Sequence, residues 1–255
     1  MIVLGLDTAT AATVVGLRLA DGTVLERRDD PSPGAHPGHA TRLLAMVAEL
    51  LGDTGLSWEQ IERIAVGLGP GTFTGLRVGV ATARGLAHSR GIELVGVSSL
   101  QALALGALEG RGGEVASARP GSGSTGPARP QVALAVIDAR RGEVFAAAYE
   151  RGLAGMPREL TAAAALAPER LVELVADARE RGAGSCLLVG DGAVRYRELL
   201  TGVGVEPAGE GSPLHLVRAE AICALGGGDG VRPGAGGVLP DYVRRPDAEL
   251  ALEGA

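Results

Sequence analysis

The chain has 255 residues, enough for one large or two modest domains with real cores, and its 46% hydrophobic content places it among soluble globular proteins. Its net charge of -6 argues against a broad independent grip on nucleic acid, and an aromatic content of 2% argues against base-stacking platforms. All 24 basic residues are arginine, which excludes lysine Schiff-base chemistry and the lysine of a Walker phosphate loop.

Residues 2–6, 13–19 and 23–28 read as strands, the last two joined by Asp21-Gly22, a strong hairpin signal. The first has no basic segment before it and meets Asp7 after six residues, so it reads as a strand and not a signal peptide. No apolar run approaches membrane-spanning length. Leu43, Leu44, Val47, Leu50 and Leu51 recur at helical spacing. Residues 61–68 form a fourth strand ending in Gly69-Pro70-Gly71-Thr72-Phe73-Thr74-Gly75. Glycines there permit positive φ or close backbone approach, and Thr72 or Thr74 can cap the helix that follows. That helix, residues 75–89, carries Gly75, Gly79, Ala83 and Ala87 at a stride of four, on nearly one face. Interior glycine costs about 1 kcal/mol relative to alanine, so packing on that face should offset it. The neighbour is either another helix of the fold, a second protein, or an anion at the helix start. Neither GxGxxG nor GxxxxGK[ST] is completed here. Residues 93–97 are a fifth strand, and Ser99 opens a helix through Leu108. Three antiparallel strands followed by alternating elements predict a mixed sheet covered by helices.

Residues 109–130 are rich in Gly, Ser and Pro and read as a flexible linker. A second round then begins, with strands 132–137 and 144–149 around the turn Asp138-Ala139-Arg140-Arg141-Gly142-Glu143. Residues 168–181 form a helix, 186–189 a strand, 193–200 a short helix and 214–225 another helix. The second half starts like the first: strand, polar turn with aspartate, strand. The expected organisation is an N-terminal, partner-binding lobe (1–108), the linker (109–130), a C-terminal lobe (131–225) whose last helix can pack back on the first, and a tail (226–255). Cys186 and Cys223 are too few for a disulfide scaffold and suit buried thiols in a reducing cytosol.

The segments LGLDTAT at the N-terminus, GLGPGTFTGLRVGVATARGLA from Gly67, IDARRGEV from Ile137 and the closing Tyr242-Val243-Arg244 resemble the TsaB (YeaZ) family. The resemblance runs through nearly the whole chain and is weakest in 109–130 and the last ten residues. It implies a two-lobed, duplicated mixed-sheet α/β fold of the actin, sugar-kinase and chaperone-ATPase (ribonuclease H-like) superfamily. It also implies a cytoplasmic role in adding threonylcarbamoyl to the adenosine beside the anticodon of tRNAs that read codons beginning with A. The family member is there the non-catalytic scaffold and activator of a catalytic paralogue, TsaD, with the ATPase TsaE as a third member. The paralogue carries a metal-binding histidine pair after the strand that follows the glycine turn, where this chain reads Ser98-Ser99-Leu100-Gln101. Serine and glutamine are poor metal ligands, so no catalytic or metal residues are expected. His36 and His39 are loop or helix-start residues, and neither HExxH nor GxSxG occurs.

In the superfamily two polar hairpin turns cradle phosphates from opposite lobes. The corresponding residues here are Asp7, Thr8 and Thr10 in the first turn and Asp138, Arg140 and Arg141 in the second, with Gly190 and Gly192 as an adenosine remnant. Each has a plain structural alternative: a capped strand end, solvated charges, an ordinary strand-to-helix turn. A degenerate or shared nucleotide site is expected, with ATP or ADP and a divalent metal in the partner or at the shared interface and no cofactor of the chain's own. The partner surface is expected on the paired helices, with Leu43, Met46, Leu50, Arg77, Gly79, Ala83 and Arg84. Bulk at Gly79 or Ala83 should weaken association and leave the monomer folded. The same surface would support a homodimer in isolation, and tRNA contact would be indirect. The alternative function is an active ATP-dependent kinase or carbamoyl-type transferase of the same superfamily.

Overall fold

A computed structural model describes residues 1–32, 34–110, 130–152, 155–181, 185–202, 206–228 and 237–243. The linker expected over 109–130 lies outside the described residues from 111 to 129, and so do 229–236 and 244–255 of the expected tail, Arg244 included. The chain divides into two units: Met1–Ala102 with Val217–Ala255, and Leu103–Leu216.

The first unit is built on β1 (Val3–Asp7), β2 (Thr13–Arg18), β3 (Val24–Asp29), β4 (Arg63–Gly69) and β5 (Glu93–Ser98), ordered β3-β2-β1-β4-β5. Strands β1 to β3 pair antiparallel, and β4 and β5 join in parallel. Gly22 turns the β2–β3 hairpin at φ 90°, a conformation open to glycine. Helices α1 (His39–Thr54) and α2 (Phe73–Arg90) cover one face, where Leu4, Leu6, Val15 and Leu17 meet Leu43, Met46, Leu50, Val80 and Ala83 in one core. Helix α3 (Ser99–Glu109) follows β5 directly.

The opposite face carries a helix of small residues. Side chains alternate across a strand, so Gly5 points away from the core of Leu4 and Leu6. A Cβ on Gly5 would lie 2.6 Å from Cys223 Sγ, and one on Gly16 would lie 2.4 Å from Ala219 Cβ. These glycines let α7 (Ala219–Gly226) lie directly on the sheet. The helix expected over 214–225 therefore starts later, at Ala219. Before it stands only a 3₁₀ turn, Pro213–His215, whose Ser212 Oγ accepts the Leu214 N–H at 3.3 Å. Glu26 Oε2 takes the Ala219 N–H at 2.8 Å, and the chain runs extended between the two anchors.

The second unit repeats the plan. Strands β6 (Val132–Arg140) and β7 (Glu143–Arg151) form a hairpin, and β10 (Cys186–Val189) joins β6 in parallel, as β4 joins β1. Two three-residue strands, β8 (Pro157–Glu159) and β9 (Ala164–Leu166), extend β7; they are too short to show alternation in sequence. Helix α4 (Leu171–Arg181) seals a core of Val132, Leu134, Val136, Val144, Leu188 and Leu200. The short helix expected over 193–200 is two, α5 (Asp191–Arg195) and α6 (Arg197–Gly202), broken at Tyr196 with φ -106° and ψ 25°.

Candidate functional site

At the end of β1, Asp7 is wholly buried. Its Oδ1 accepts the Ala9 N–H at 2.9 Å, and its Oδ2 accepts the Ser99 hydroxyl at 2.7 Å. Burial raises its pKa, opposed by these two bonds. A Cβ on Gly67 would fall 1.8 Å from Asp7 Oδ2, so the glycine before the turn makes room for this carboxyl. Thr8, also buried, donates its hydroxyl to the Gly75 carbonyl at 2.7 Å, and Thr10 is half-buried. A cation or phosphate here would have to displace bonds that hold β1 to α2 and α3.

The same turn explains the small face of α2. A Cβ on Gly79 would lie 2.2 Å from Thr8 Oγ1, and one on Gly75 would lie 2.1 Å from the Thr8 carbonyl oxygen. The neighbour of its two glycines is the β1 strand end, which is none of the three candidates read from the stride of four, whereas Ala83 and Ala87 share a core with α1, the helix of the fold that was one of them. Bulk at Gly79 therefore strikes the fold itself. Thr72 is the N-cap residue by position, but its side chain makes no cap bond; its N–H donates to the Ala9 carbonyl at 2.8 Å.

His39 opens α1 and is buried, with Nδ1 2.9 Å from Thr13 Oγ1, and burial pushes its pKa down. His36 is exposed. Among the described residues no group of three or more His, Cys, Asp or Glu converges on a metal position.

The residues read as a partner surface divide by depth. Leu43, Met46, Leu50 and Ala83 are core residues, and Gly79 is buried against Thr8, so none of these five can touch a partner directly. Arg77 and Arg84 face solvent. One stripe of α1 (Leu43, Met46, Val47, Leu50, Leu51) meets the core, and Leu44, one step off it, is 52% exposed. One outward stripe of α1 is Thr41, Leu44, Ala48 and Gly52, uncharged itself but flanked by the exposed Glu49 and Asp53. That of α2 is Arg77, Ala81, Arg84 and His88. At the start of α2 the Arg77 guanidinium lies 3.8 Å from the Phe73 ring centroid, and Arg77 Nε donates to Tyr242 Oη at 3.2 Å. The Asp241 N–H donates to the Leu68 carbonyl at 2.8 Å, tying this segment down. The Phe73 and Tyr242 rings meet with centroids 5.4 Å apart, which nothing in their spacing along the sequence announces.

In the second unit, Asp138 near the end of β6 repeats the local geometry of Asp7: its Oδ1 accepts the N–H two residues on, that of Arg140, at 3.0 Å. Its Oδ2 lies 3.3 Å from Arg140 Nη1 and 3.3 Å from Arg195 Nη1. Arg140 and Arg141 have φ of 63° and 54°, a left-handed conformation that costs a non-glycine residue about 1 to 3 kcal/mol. Asp191 accepts the Asp138 N–H on Oδ1 at 3.0 Å, and burial, with repulsion from Asp138 behind it, raises its pKa. Asp138, Arg140, Asp191 and Arg195 line an open pocket of ≈ 490 Å³ with Val194, Glu210, Ser212 and Leu216; Arg141 does not line it. His215 closes its floor: Nδ1 takes the Gly190 N–H at 3.1 Å, and Nε2 faces the Ala208 and Gly209 carbonyls at 3.0 and 2.9 Å. Gly190 and Gly192 have structural reasons of their own. A Cβ on Gly190, at φ 107°, would lie 2.0 Å from the Val136 carbonyl oxygen, and one on Gly192 would lie 2.8 Å from Val136 Cγ1. Arg195 carried no signal in the sequence.

A family model described as TsaD, tRNA N6-adenosine threonylcarbamoyltransferase, matches residues 33–183, more than half of the chain. The tRNA threonylcarbamoyladenosine biosynthesis protein TsaB of Escherichia coli is 40% identical over 112 residues, which cover 44% of this chain and 46% of that one. The chain spans about half the length of the curated relatives it matches. A solved structure of an uncharacterised Pseudomonas aeruginosa protein, described as similar to peptidase YeaZ, superposes with a TM-score of 0.71 at 29% identity over 95% of this chain and 99% of that one. A second structure, YeaZ from Pseudomonas aeruginosa, gives a TM-score of 0.66 at 29% identity over 89% and 92%.

Proposed function

The chain belongs to the TsaB (YeaZ) family of tRNA threonylcarbamoyladenosine biosynthesis proteins, with the two-lobed mixed-sheet fold of the actin-like ATPase superfamily, and on that premise we propose that it is a non-catalytic scaffold and activator. Its partner would be a TsaD-like subunit that adds threonylcarbamoyl to the adenosine beside the anticodon of tRNAs reading codons that begin with A. One observation carries the non-catalytic reading. Where the resemblance places the histidine pair of the catalytic paralogue, this chain has Ser99, whose hydroxyl is buried and donated to Asp7 Oδ2 at 2.7 Å. The position serves the fold, because that bond ties the start of α3 to the end of β1.

The partner would dock on the uncharged outer stripe of α1 and the neighbouring stripe of α2, through Leu44, Ala48, Arg77, Ala81 and Arg84. Leu43, Met46, Leu50, Gly79 and Ala83 would shape this surface from beneath. In isolation the same stripe would pair two copies of the chain, and a TsaE-like ATPase would complete the assembly. Nucleotide and a divalent cation would be held by the partner or at the shared surface, with tRNA contact indirect and the assembly cytoplasmic. Among the described residues no helix is long and apolar enough to cross a membrane.

The test is reconstitution. With an activated threonylcarbamoyl donor, tRNA modification should require a TsaD-like partner and rise when this chain is added. Transfer by the chain alone would overturn the reading in favour of an active transferase.

A further inference from the structure

We infer that Phe73, Arg77 and Tyr242 form a clasp that grips a carboxylate of the docking partner, and that the partner face it meets is acidic. The inference rests on the α1–α2 face being the docking surface, and it adds the chemistry of what docks there. The Arg77 guanidinium lies 3.8 Å from the Phe73 ring centroid, and its Nε donates to Tyr242 Oη at 3.2 Å. Arg77 is thus held by a ring on its own helix and by a hydroxyl from a segment 165 residues away. That segment is itself fixed, because Val238 is buried in the core with α1 and α2 and the Asp241 N–H donates to the Leu68 carbonyl at 2.8 Å. With Nε taken, the guanidinium presents its Nη1 and Nη2 end, which can take a carboxylate through two parallel bonds. The cluster is ordered yet open: Phe73 is 40% exposed, Tyr242 is 37% exposed, and Arg77 faces solvent.

An exposed contact between a cation and a ring adds little to stability, whereas tyrosine and arginine held at a surface are the residue types that dominate binding energy. The charge around the clasp is also unmatched. Helix α2 carries three arginines and one histidine and no acidic residue, in a chain whose net charge is -6. Arg90 lies over the Trp58 ring, 5.3 Å from its centroid. Arg77 and Arg84 have no carboxylate within ion-pair distance among the described residues. The acids on the facing side of α1 are already engaged: Glu49 lies 3.8 Å from Arg42 Nη2, and Asp53 pairs with Arg27. Even counting Asp241, the exposed acid beside Tyr242, the face keeps an excess of positive charge. Arg77 and Arg84 are two helical turns apart, about 10 Å, a spacing that acids on one stripe of a partner helix can match. A protein face fits better than nucleic acid. A phosphate backbone would have to run past Glu49 and Asp53 and would leave Leu44 and Ala48 without an apolar neighbour. The Phe73 ring already stacks on Arg77, so it offers a base at most one face. A partner helix with carboxylates beside small apolar residues meets both stripes at once.

The test is association of the full chain with a TsaD-like subunit, read by calorimetry at low and high salt. Binding should weaken as salt rises. Arg77→Gln should weaken it at least about tenfold, or ~1.4 kcal/mol, and Tyr242→Phe, which keeps the ring and loses the acceptor, by a smaller factor. Arg77→Lys keeps the charge and loses the fork, so it should fall between Arg77→Gln and the parent. Arg181→Gln, whose guanidinium pairs with Asp177 on α4, should bind as the parent does. Melting curves that match the parent exclude misfolding of the variants. Charge reversal then locates the contact: an Arg77→Glu chain should regain binding when one exposed acid of the partner is changed to arginine. Association unchanged by both Arg77→Gln and Tyr242→Phe overturns the clasp and leaves the scaffold reading standing, whereas a parent chain that does not bind the subunit overturns both. A short single-stranded RNA that binds the parent but not Arg77→Gln, with subunit binding intact in that variant, would assign the arginine to RNA and overturn the acidic partner.

Discussion

Gly79 and Gly85, both inside α2, should answer the same substitution with opposite signs. At Gly85 an added Cβ meets nothing within 4 Å, so Gly85→Ala gains helix propensity and loses nothing, a stabilisation of about 0.5 to 1 kcal/mol. At Gly79 the Cβ would lie 2.2 Å from Thr8 Oγ1, more than an ångström inside ordinary contact. Thr8 cannot swing aside freely. It is β-branched, buried, and its hydroxyl is bonded to the Gly75 carbonyl at 2.7 Å. Either that bond is lost, leaving a buried hydroxyl unsatisfied at about 1 to 3 kcal/mol, or α2 lifts from β1 at a similar overpacking cost. Set against the same helix gain of about 1 kcal/mol, the net is a destabilisation of up to about 2 kcal/mol. At about 2 to 4 °C per kcal/mol, Gly85→Ala should raise the melting temperature by a few degrees and Gly79→Ala should lower it, by up to about 8 °C. Thermal denaturation followed by circular dichroism reads both. In a Thr8→Ala background the obstructing hydroxyl is gone, and the cost of Gly79→Ala should largely vanish. A Gly79→Ala protein that melts at or above the parent, or a cost that persists without the Thr8 hydroxyl, would refute the contact as the reason for the glycine.

Other outcomes follow from the same geometry. Burial raises the Asp7 pKa in the folded chain, so its contribution is fully present below the unfolded value of 3.8 and is lost as pH rises through the folded one. Asp7→Asn should flatten that part of the melting profile, and an unchanged profile would show that the carboxyl ionises without penalty. His39 has the opposite sign: its folded pKa lies below 6.5, so its contribution is present above that pH and is lost as pH falls through the folded value. His39→Gln should lose less melting temperature on acidification than the parent. Burial pushes the Cys223 thiol up to about 12 and that of Cys186 up to about 11, so neither should be alkylated by iodoacetamide at mildly alkaline pH before unfolding; rapid native labelling would contradict this. Ala48→Arg, on the exposed stripe of α1, should abolish partner association without moving the melting temperature, and normal association would place the interface elsewhere.

Much of the scaffold was legible because it depends on local periodicity. Strand β10 occupies 186–189 as read, α3 opens at Ser99 as read, and Asp21-Gly22 makes the hairpin its residue types require. What failed depends on distant partners. The apolar run from Leu214 to Leu225 looks continuous, yet Ser212 and Glu26 anchor it at two places and only residues from Ala219 onward become helix. The stride of four in α2 correctly announced a close neighbour, but a stripe of small residues carries no label for what approaches it. The packing of Thr8 against Gly75 and Gly79 brings together positions nearly seventy residues apart.

The two aspartate turns show the same point in chemical form. In each, Oδ1 of an aspartate at a strand end accepts the N–H two residues on, at 2.9 Å from Ala9 and 3.0 Å from Arg140. That half of the geometry is local, and it is why the turns look alike in sequence. The second oxygen decides their roles. Asp7 Oδ2 receives the neutral hydroxyl of Ser99 from the start of α3, inside the core, with Gly67 keeping the space open. Asp138 Oδ2 receives two guanidiniums, one from its own turn and one from α5, at the rim of a pocket. A hydroxyl can be buried with its acceptor at little cost, whereas guanidinium groups keep their remaining donors in water or give them to a ligand. The first turn is thereby committed to holding β1, α2 and α3 together, and the second to presenting charge. Because Ser99 and Arg195 each lie more than fifty residues from the aspartate they serve, no local window could have told the turn sealed in the core from the one at the rim of a pocket.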